Sequence, residues 1–237
     1  MNEMTKVKVC GLTNLEDALV AVEAGADLLG FIFFEPSPRY VGPEVVREIV
    51  SDIRNHAWNK PARSQFKTQH LKLKTPTFVG VFVNAAIETV ARILDECQLD
   101  AAQLHGDESP EFVKQFHGRA YKALRPQSVE EAEALIKTYQ PTSQPANQLP
   151  DFLIDAYHPT LYGGTGHVTD WTMAASLAGH YRIMLAGSLT PANVAEAIEA
   201  VKPWGVDVSS GVEQEKGRKD HGKVREFIRM AQSVEHG

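Results

Sequence analysis

A chain of 237 residues has room for one β/α barrel or for two small domains, and its 43% apolar and 23% charged residues are the balance of a soluble globular protein. A net charge of −6 and a pI near 5.9 argue against nucleic acid or an anionic membrane as the main partner, since both reward a basic surface. The two cysteines, 87 positions apart, fit neither a zinc spacing nor a disulfide framework, and the start MNEMTKVKVCG lacks the apolar run of a signal peptide. These features predict a cytoplasmic protein without a membrane span.

Eight short apolar runs follow one another along the chain: KVKVCG (6–11), LLGFIFF (28–34), TFVGVFV (77–83), AAQLHG (101–106), RAYKAL (119–124), DFLIDA (151–156), RIMLAG (182–187) and GVDVSS (205–210). Each reads as a buried parallel strand, and the amphipathic stretches between them read as covering helices. Asn14 is placed as an N-cap with Gly25 closing that helix, Ser109-Pro110 and Thr190-Pro191 mark further starts, and Asp220 precedes the last helix. Eight strand–helix units predict an α/β fold, a closed (β/α)8 TIM barrel forming one domain over residues 1–237. An open doubly wound sheet would need a G-x-G-x-x-G turn, which is absent. Residues 56–76, with five Lys/Arg and no acid, and residues 139–150, with three prolines and no charge, break the rhythm and read as loop insertions. Both enter strands from the bottom of the barrel, away from the chemistry.

Active sites of such barrels gather at the strand C-termini. The strand exits here offer Cys10, Arg39, Asn84, Gln103, His105, Lys122, Arg125, Asp155, Gly187-Ser188, and the run Asp207, Ser209, Ser210, Gly211. The small-residue stretches GGTG (163–166), Ala186-Gly187-Ser188 and Ser209-Ser210-Gly211 could expose backbone N–H groups to a phosphate, or could simply be tight turns. Asp155 ends a buried strand; partial desolvation there favours a proton-donating carboxyl, and a capping or salt-bridged acid is the alternative. Cys10 is either a small core hydrophobe or a thiol placed as base or nucleophile. Arg39 could bind a carboxylate through its fork or stay solvated. Lys122 could be a Schiff-base nucleophile or a structural lysine paired with an acid. His105 could donate to substrate or be a satisfied strand-end histidine, and Asp207 could be a counter-charge or orient substrate.

The stretch KVCGLTNLEDALVAVEAGADLLGFIFFEPSPRYV (8–41), with VGVFVN (79–84), QLHGDE (103–108), LIDAY (153–157), GGTGHVTDW (163–171), LAGSLTPANV (185–194) and VDVSSGVE (206–213), resembles the phosphoribosylanthranilate isomerase family of tryptophan biosynthesis. The resemblance covers nearly the whole chain outside the two insertions. It implies the same barrel and an Amadori rearrangement of a small phosphorylated substrate by a monomer or homodimer, with no metal or other cofactor. It implies Cys10 as general base, Asp155 as general acid, and Arg39 on the anthranilate carboxylate. The phosphate would sit at Gly187-Ser188 and Ser210-Gly211, with the GGTG loop closing nearby, and Asp207 would orient the ribosyl part; His105 is kept as a further substrate contact. Two positions depart from the family pattern: Ser188 stands where a second glycine is common, and His167 where lysine is common. A histidine-pathway relative of the same chemistry would carry aspartate at the Cys10 position and two phosphate sites. The other rival readings are a Lys122 aldolase and a barrel that binds a phosphosugar without turnover.

Overall fold

The computed structural model describes residues 4–56, 75–140, 149–155 and 167–234. Eight parallel strands close into a barrel in sequence order: β1 Lys6–Val9, β2 Leu28–Ile32, β3 Thr77–Phe82, β4 Ala101–Leu104, β5 Ala120–Leu124, β6 Phe152–Asp155, β7 Ile183–Ala186 and β8 Gly205–Val208, which pairs back onto β1. Each strand falls inside its predicted apolar run. Past the strand ends, Cys10, His105, Gly187, Ser209 and Ser210 leave the ladders and line the barrel mouth.

Strand periodicity sorts the side chains. On β1, Val7 and Val9 pack outward into the core shared with the helices, while Lys8 and, past the strand end, Cys10 face the barrel axis. Leu28, Val79, Tyr121, Leu153 and Met184 fill the interior below the mouth. Full burial of each Leu or Val contributes about 1.5–3 kcal/mol.

The helices form the outer ring: α1 Leu15–Ala24, α2 Pro43–His56, α3 Ile87–Glu96, α4 Pro110–Lys114, α5 Val129–Tyr139, α6 His167–Ala178, α7 Val194–Val201 and α8 His221–Gln232. The predicted caps hold at three starts. Asn14 accepts from the Asp17 N–H, Ser109 from the Phe112 N–H, and Asp220 from the Gly222 and Lys223 N–H groups. Gly25 closes α1 in the left-handed region at φ 98°. The fourth start lies further on: α7 begins at Val194, and the Asn193 side chain folds back to accept from the Thr190 N–H, so residues 191–193 form a turn rather than a first helical turn. A hairpin, β9 Glu213–Glu215 and β10 Arg218–Lys219, follows β8 and was not anticipated. Of the two predicted insertions, residues 57–74 and 141–148 lie outside the described residues; His56 belongs to α2 and Tyr139 to α5. Among the described residues no helix is long and apolar enough to cross a membrane.

Candidate active site

A cavity of about 390 Å³ opens at the C-terminal mouth of the barrel. Its lining includes Cys10, Arg39, His105, Asp155, Gly187, Ser188, Asp207, Ser210 and Gly211, so these nine site candidates meet in one place. The GGTG stretch and the His167 side chain lie outside the described residues.

Cys10 is 5% exposed. Its position depends on Gly30 of the neighbouring β2: a Cβ there would stand 2.7 Å from the Cys10 Sγ. Burial pushes the Cys10 thiol above its ordinary value; the Lys8 ammonium and, more weakly, Lys219 pull the other way without cancelling that effect. Lys8 is fully buried beneath the mouth and donates to Gln103 Oε1 at 2.7 Å and to Asp207 Oδ1 at 3.1 Å. Burial alone would discharge Lys8, but Asp207 and the acidic groups of Cys10 and Tyr121 outweigh it and hold the ammonium above the usual lysine range. The Asp207 expectation of a counter-charge is therefore met by Lys8, a residue that sequence reasoning passed over. Alternation along β1 could have found it, because any residue two before Cys10 shares its inward face.

On the far side, Asp155 keeps 23% of its side chain exposed, and its Oδ2 lies 3.7 Å from His105 Nε2. His105 Nδ1 meets Gln103 Nε2 at 2.9 Å, and the buried Tyr121 hydroxyl donates to Gln103 Oε1 at 3.0 Å. Arg125 donates to the His105 carbonyl at 2.9 Å from outside the ring.

Arg39 reaches the cavity from the loop after β2. Its Nε and Nη2 donate to the two oxygens of Glu213 at 2.7 and 2.8 Å, and that clasp raises the guanidinium's proton affinity against the cost of burial. Glu213 also accepts from Lys219 Nζ at 3.3 Å. Burial would lift the Glu213 carboxyl, but its two cations hold it below the usual range. Neither Glu213 nor Lys219 was singled out in the sequence. Both sit in the unanticipated hairpin, whose short polar strands carry no apolar signal.

Gly187 and Ser188 both take positive φ, 97° and 51°. Gly211 is fixed by packing: a Cβ there would run into the Leu189 carbonyl oxygen. Ser209 Oγ is buried in this wall with no hydrogen-bond partner among the described residues.

Besides Arg125, two strand-exit residues stay out of the cavity. Lys122 alternates outward on β5, where Tyr121 faces in; its Nζ donates to the carbonyls of Leu104, Gly106 and Ala123 and pairs with Glu108 at 3.1 Å. The Schiff-base reading of Lys122 therefore has no geometric support, and the structural reading describes it. Asn84 turns to the loop after β4, where its Oδ1 accepts from the Asp107 N–H.

The closed barrel and its polar mouth define the class: a (β/α)8-barrel with its candidate site at the strand C-termini. Residues 53–230 match the family PRAI, N-(5'phosphoribosyl)anthranilate (PRA) isomerase, and the chain belongs to that family. An N-(5'-phosphoribosyl)anthranilate isomerase of Geobacter sp. (strain M21) is 45% identical over 234 residues, covering 98% of this chain and 100% of the relative. The crystal structure of phosphoribosyl anthranilate isomerase from Thermotoga maritima superposes with a TM-score of 0.77 at 35% identity, over 98% of this chain and 100% of that one. A phosphoribosyl anthranilate isomerase in complex with reduced 1-(o-carboxyphenylamino)-1-deoxyribulose 5-phosphate gives a TM-score of 0.76 at 33% identity, with the same two coverages.

Proposed function

We propose that the protein converts N-(5-phosphoribosyl)anthranilate to 1-(2-carboxyphenylamino)-1-deoxyribulose 5-phosphate in tryptophan biosynthesis, in the cytoplasm, by acid–base catalysis. The observation that carries the site reading is that Cys10, Asp155 and Arg39 share one cavity with the turns at Gly187-Ser188 and Ser210-Gly211. Asp155 gives its proton to the ring oxygen as the furanose opens to the Schiff base. The Cys10 thiolate takes the proton from C2, leaving an enolamine that relaxes to the ketone. Arg39, held by Glu213, has three of its five N–H donors left for the anthranilate carboxylate. The phosphate rests on backbone N–H groups of Gly187-Ser188 and Ser210-Gly211. Asp207 stands where it can orient the ribosyl part while neutralised by Lys8.

The direct test supplies freshly made phosphoribosylanthranilate and follows the loss of its fluorescence. Rapid loss with the protein, abolished in a Cys10→Ser/Asp155→Asn double variant, supports the reading. Turnover of a bis-phosphorylated aminoimidazole aminoaldose in place of the anthranilate compound would favour the histidine-pathway alternative, against which the Cys10 position already argues.

A further inference from the structure

The acid side of the cavity contains a hydrogen-bond chain whose polarity can be worked out from its buried end. Lys8 is an ammonium and can only donate, and burial keeps the Tyr121 phenol protonated, above its ordinary range. Both point at the same atom of Gln103, which must therefore be the amide oxygen. The amide nitrogen is then the atom 2.9 Å from His105 Nδ1. An NH2 group can only donate, so Nδ1 must be a lone pair and the ring proton must sit on Nε2. That Nε2–H faces Asp155 Oδ2 at 3.7 Å, just over hydrogen-bond length, in a geometry that can tighten around a substrate.

We infer that Gln103 is a positioning residue that locks His105 in its neutral Nε2–H tautomer, so that the ring offers Asp155 a hydrogen and never a lone pair. The inference rests on Asp155 being the general acid proposed above. In the opposite tautomer, Nε2 would present a basic lone pair to Asp155. Such a ring is positioned to accept the proton that the sugar oxygen needs. With the proton fixed on Nε2, His105 instead donates to Oδ2 and leaves the other oxygen to carry the acid's proton toward substrate. Protonating Nδ1 as well would set donor against donor. Flipping the amide to relieve that would turn NH2 onto the Lys8 ammonium and the Tyr121 hydroxyl, two buried donors. Among the described residues no other charged group competes for the ring nitrogens: Arg125 binds the His105 backbone carbonyl, Asp207 binds Lys8, and Arg39 binds Glu213.

The test is Gln103→Glu in the full-length protein. A glutamate can still accept from Lys8 and Tyr121, but it accepts from His105 Nδ1 where glutamine donates. Nitrogen-15 NMR of histidine-labelled protein reads the tautomer, with the His105 signals among the nine histidines assigned by their absence from a His105→Gln sample. The expected result is a neutral Nε2–H ring in the parent, a proton on Nδ1 in Gln103→Glu, and kcat lower by about 10²-fold with KM within about 3-fold. On a His105→Gln background, Gln103→Glu should cost no more than about 3-fold further. An Nδ1–H ring in the parent overturns the inference. So does a full kcat penalty on the His105→Gln background, which would mean that Gln103 acts through barrel stability. Asp155→Asn kinetics keep the two layers apart: undiminished turnover there removes Asp155 as the acid and the catalytic half of the inference with it, whereas the NMR readout judges the tautomer whoever the acid is.

Discussion

Arg39 and Glu213 form a two-pronged ion pair, Nε to Oε1 at 2.7 Å and Nη2 to Oε2 at 2.8 Å, that joins the loop after β2 to the hairpin after β8. The guanidinium is thereby oriented before any substrate arrives, which saves ordering entropy on binding. Truncating Arg39 to alanine should remove a charge-assisted contact worth about 1.5–3 kcal/mol and raise KM roughly 10–100-fold with little change in kcat. Glu213→Gln should act in the same direction but more weakly, because one prong survives; it also leaves Arg39 and Lys219 facing each other without their shared anion. Steady-state kinetics on both variants check this. A change confined to thermal stability would detach Arg39 from substrate binding.

The burial of Cys10 makes a pH statement. Its thiol lies above the ordinary value of 9.0 because burial outweighs the pull of Lys8. A raised value means that the thiol form persists to higher pH. In a reaction needing one base and one acid, the upper edge of the pH profile belongs to the group that titrates last. The fall in kcat/KM is therefore expected above pH 9, and the alkylation rate of Cys10 should climb over the same interval. Lys8→Met removes a cation that lowers the thiol and should carry both edges further up. Cys10→Ser and Asp155→Asn should each cut kcat by about 10²–10⁴-fold with KM nearly unchanged. An alkylation edge well below pH 9 would contradict the burial argument.

Gly30 connects barrel packing to Cys10, the proposed base. A methyl group there would sit 2.7 Å from the Cys10 sulfur and 3.1 Å from its Cα, so alanine must push the β1 exit aside. Gly30→Ala should cost about 1–3 kcal/mol as overpacking. It should also lower kcat by roughly 10-fold or more, since small displacements of a reacting group are expensive. Gly179→Ala is the control: a Cβ there meets nothing within 4 Å, and activity should be unchanged. Equal kinetics for the two variants would show that Cys10 tolerates displacement.

The barrel was legible because each strand is a short apolar run and because parallel strands buried on both faces leave that signature. The candidate site was legible wherever a polar residue stands at the close of such a run, as Cys10, His105 and Asp155 do; Asp207 lies inside its run and is marked only by the small polar stretch that follows it. What was not legible depends on contacts across the chain. Lys8 sits inside a run and looks like a flaw in it until Gln103 and Asp207, 95 and 199 positions away, are seen to hold its ammonium. Glu213 gains its meaning only from Arg39, 174 positions earlier. Lys122 and Tyr121 are adjacent, and only the strand's register on the closed barrel decides which of them faces in.

Ser188 resolves a question that the sequence posed. Its φ of 51° is left-handed, directly after Gly187 at 97°, and the Asn193 amide holds the turn by donating to the Ser188 carbonyl at 3.1 Å. An L-residue pays about 1–2 kcal/mol for that conformation. Glycine would not, although it gives back about 0.5–1 kcal/mol through the greater freedom of the unfolded chain. Ser188→Gly should therefore stabilise the protein by about 0.5–1 kcal/mol, a rise in thermal midpoint of a few degrees at most for a chain of this size. If the phosphate is held by the backbone N–H groups of this turn, KM should stay within about 2-fold, because the backbone path is unchanged. A several-fold rise in KM would instead assign the hydroxyl a direct contact with substrate, the gain that would offset the strain of keeping serine in a glycine's conformation.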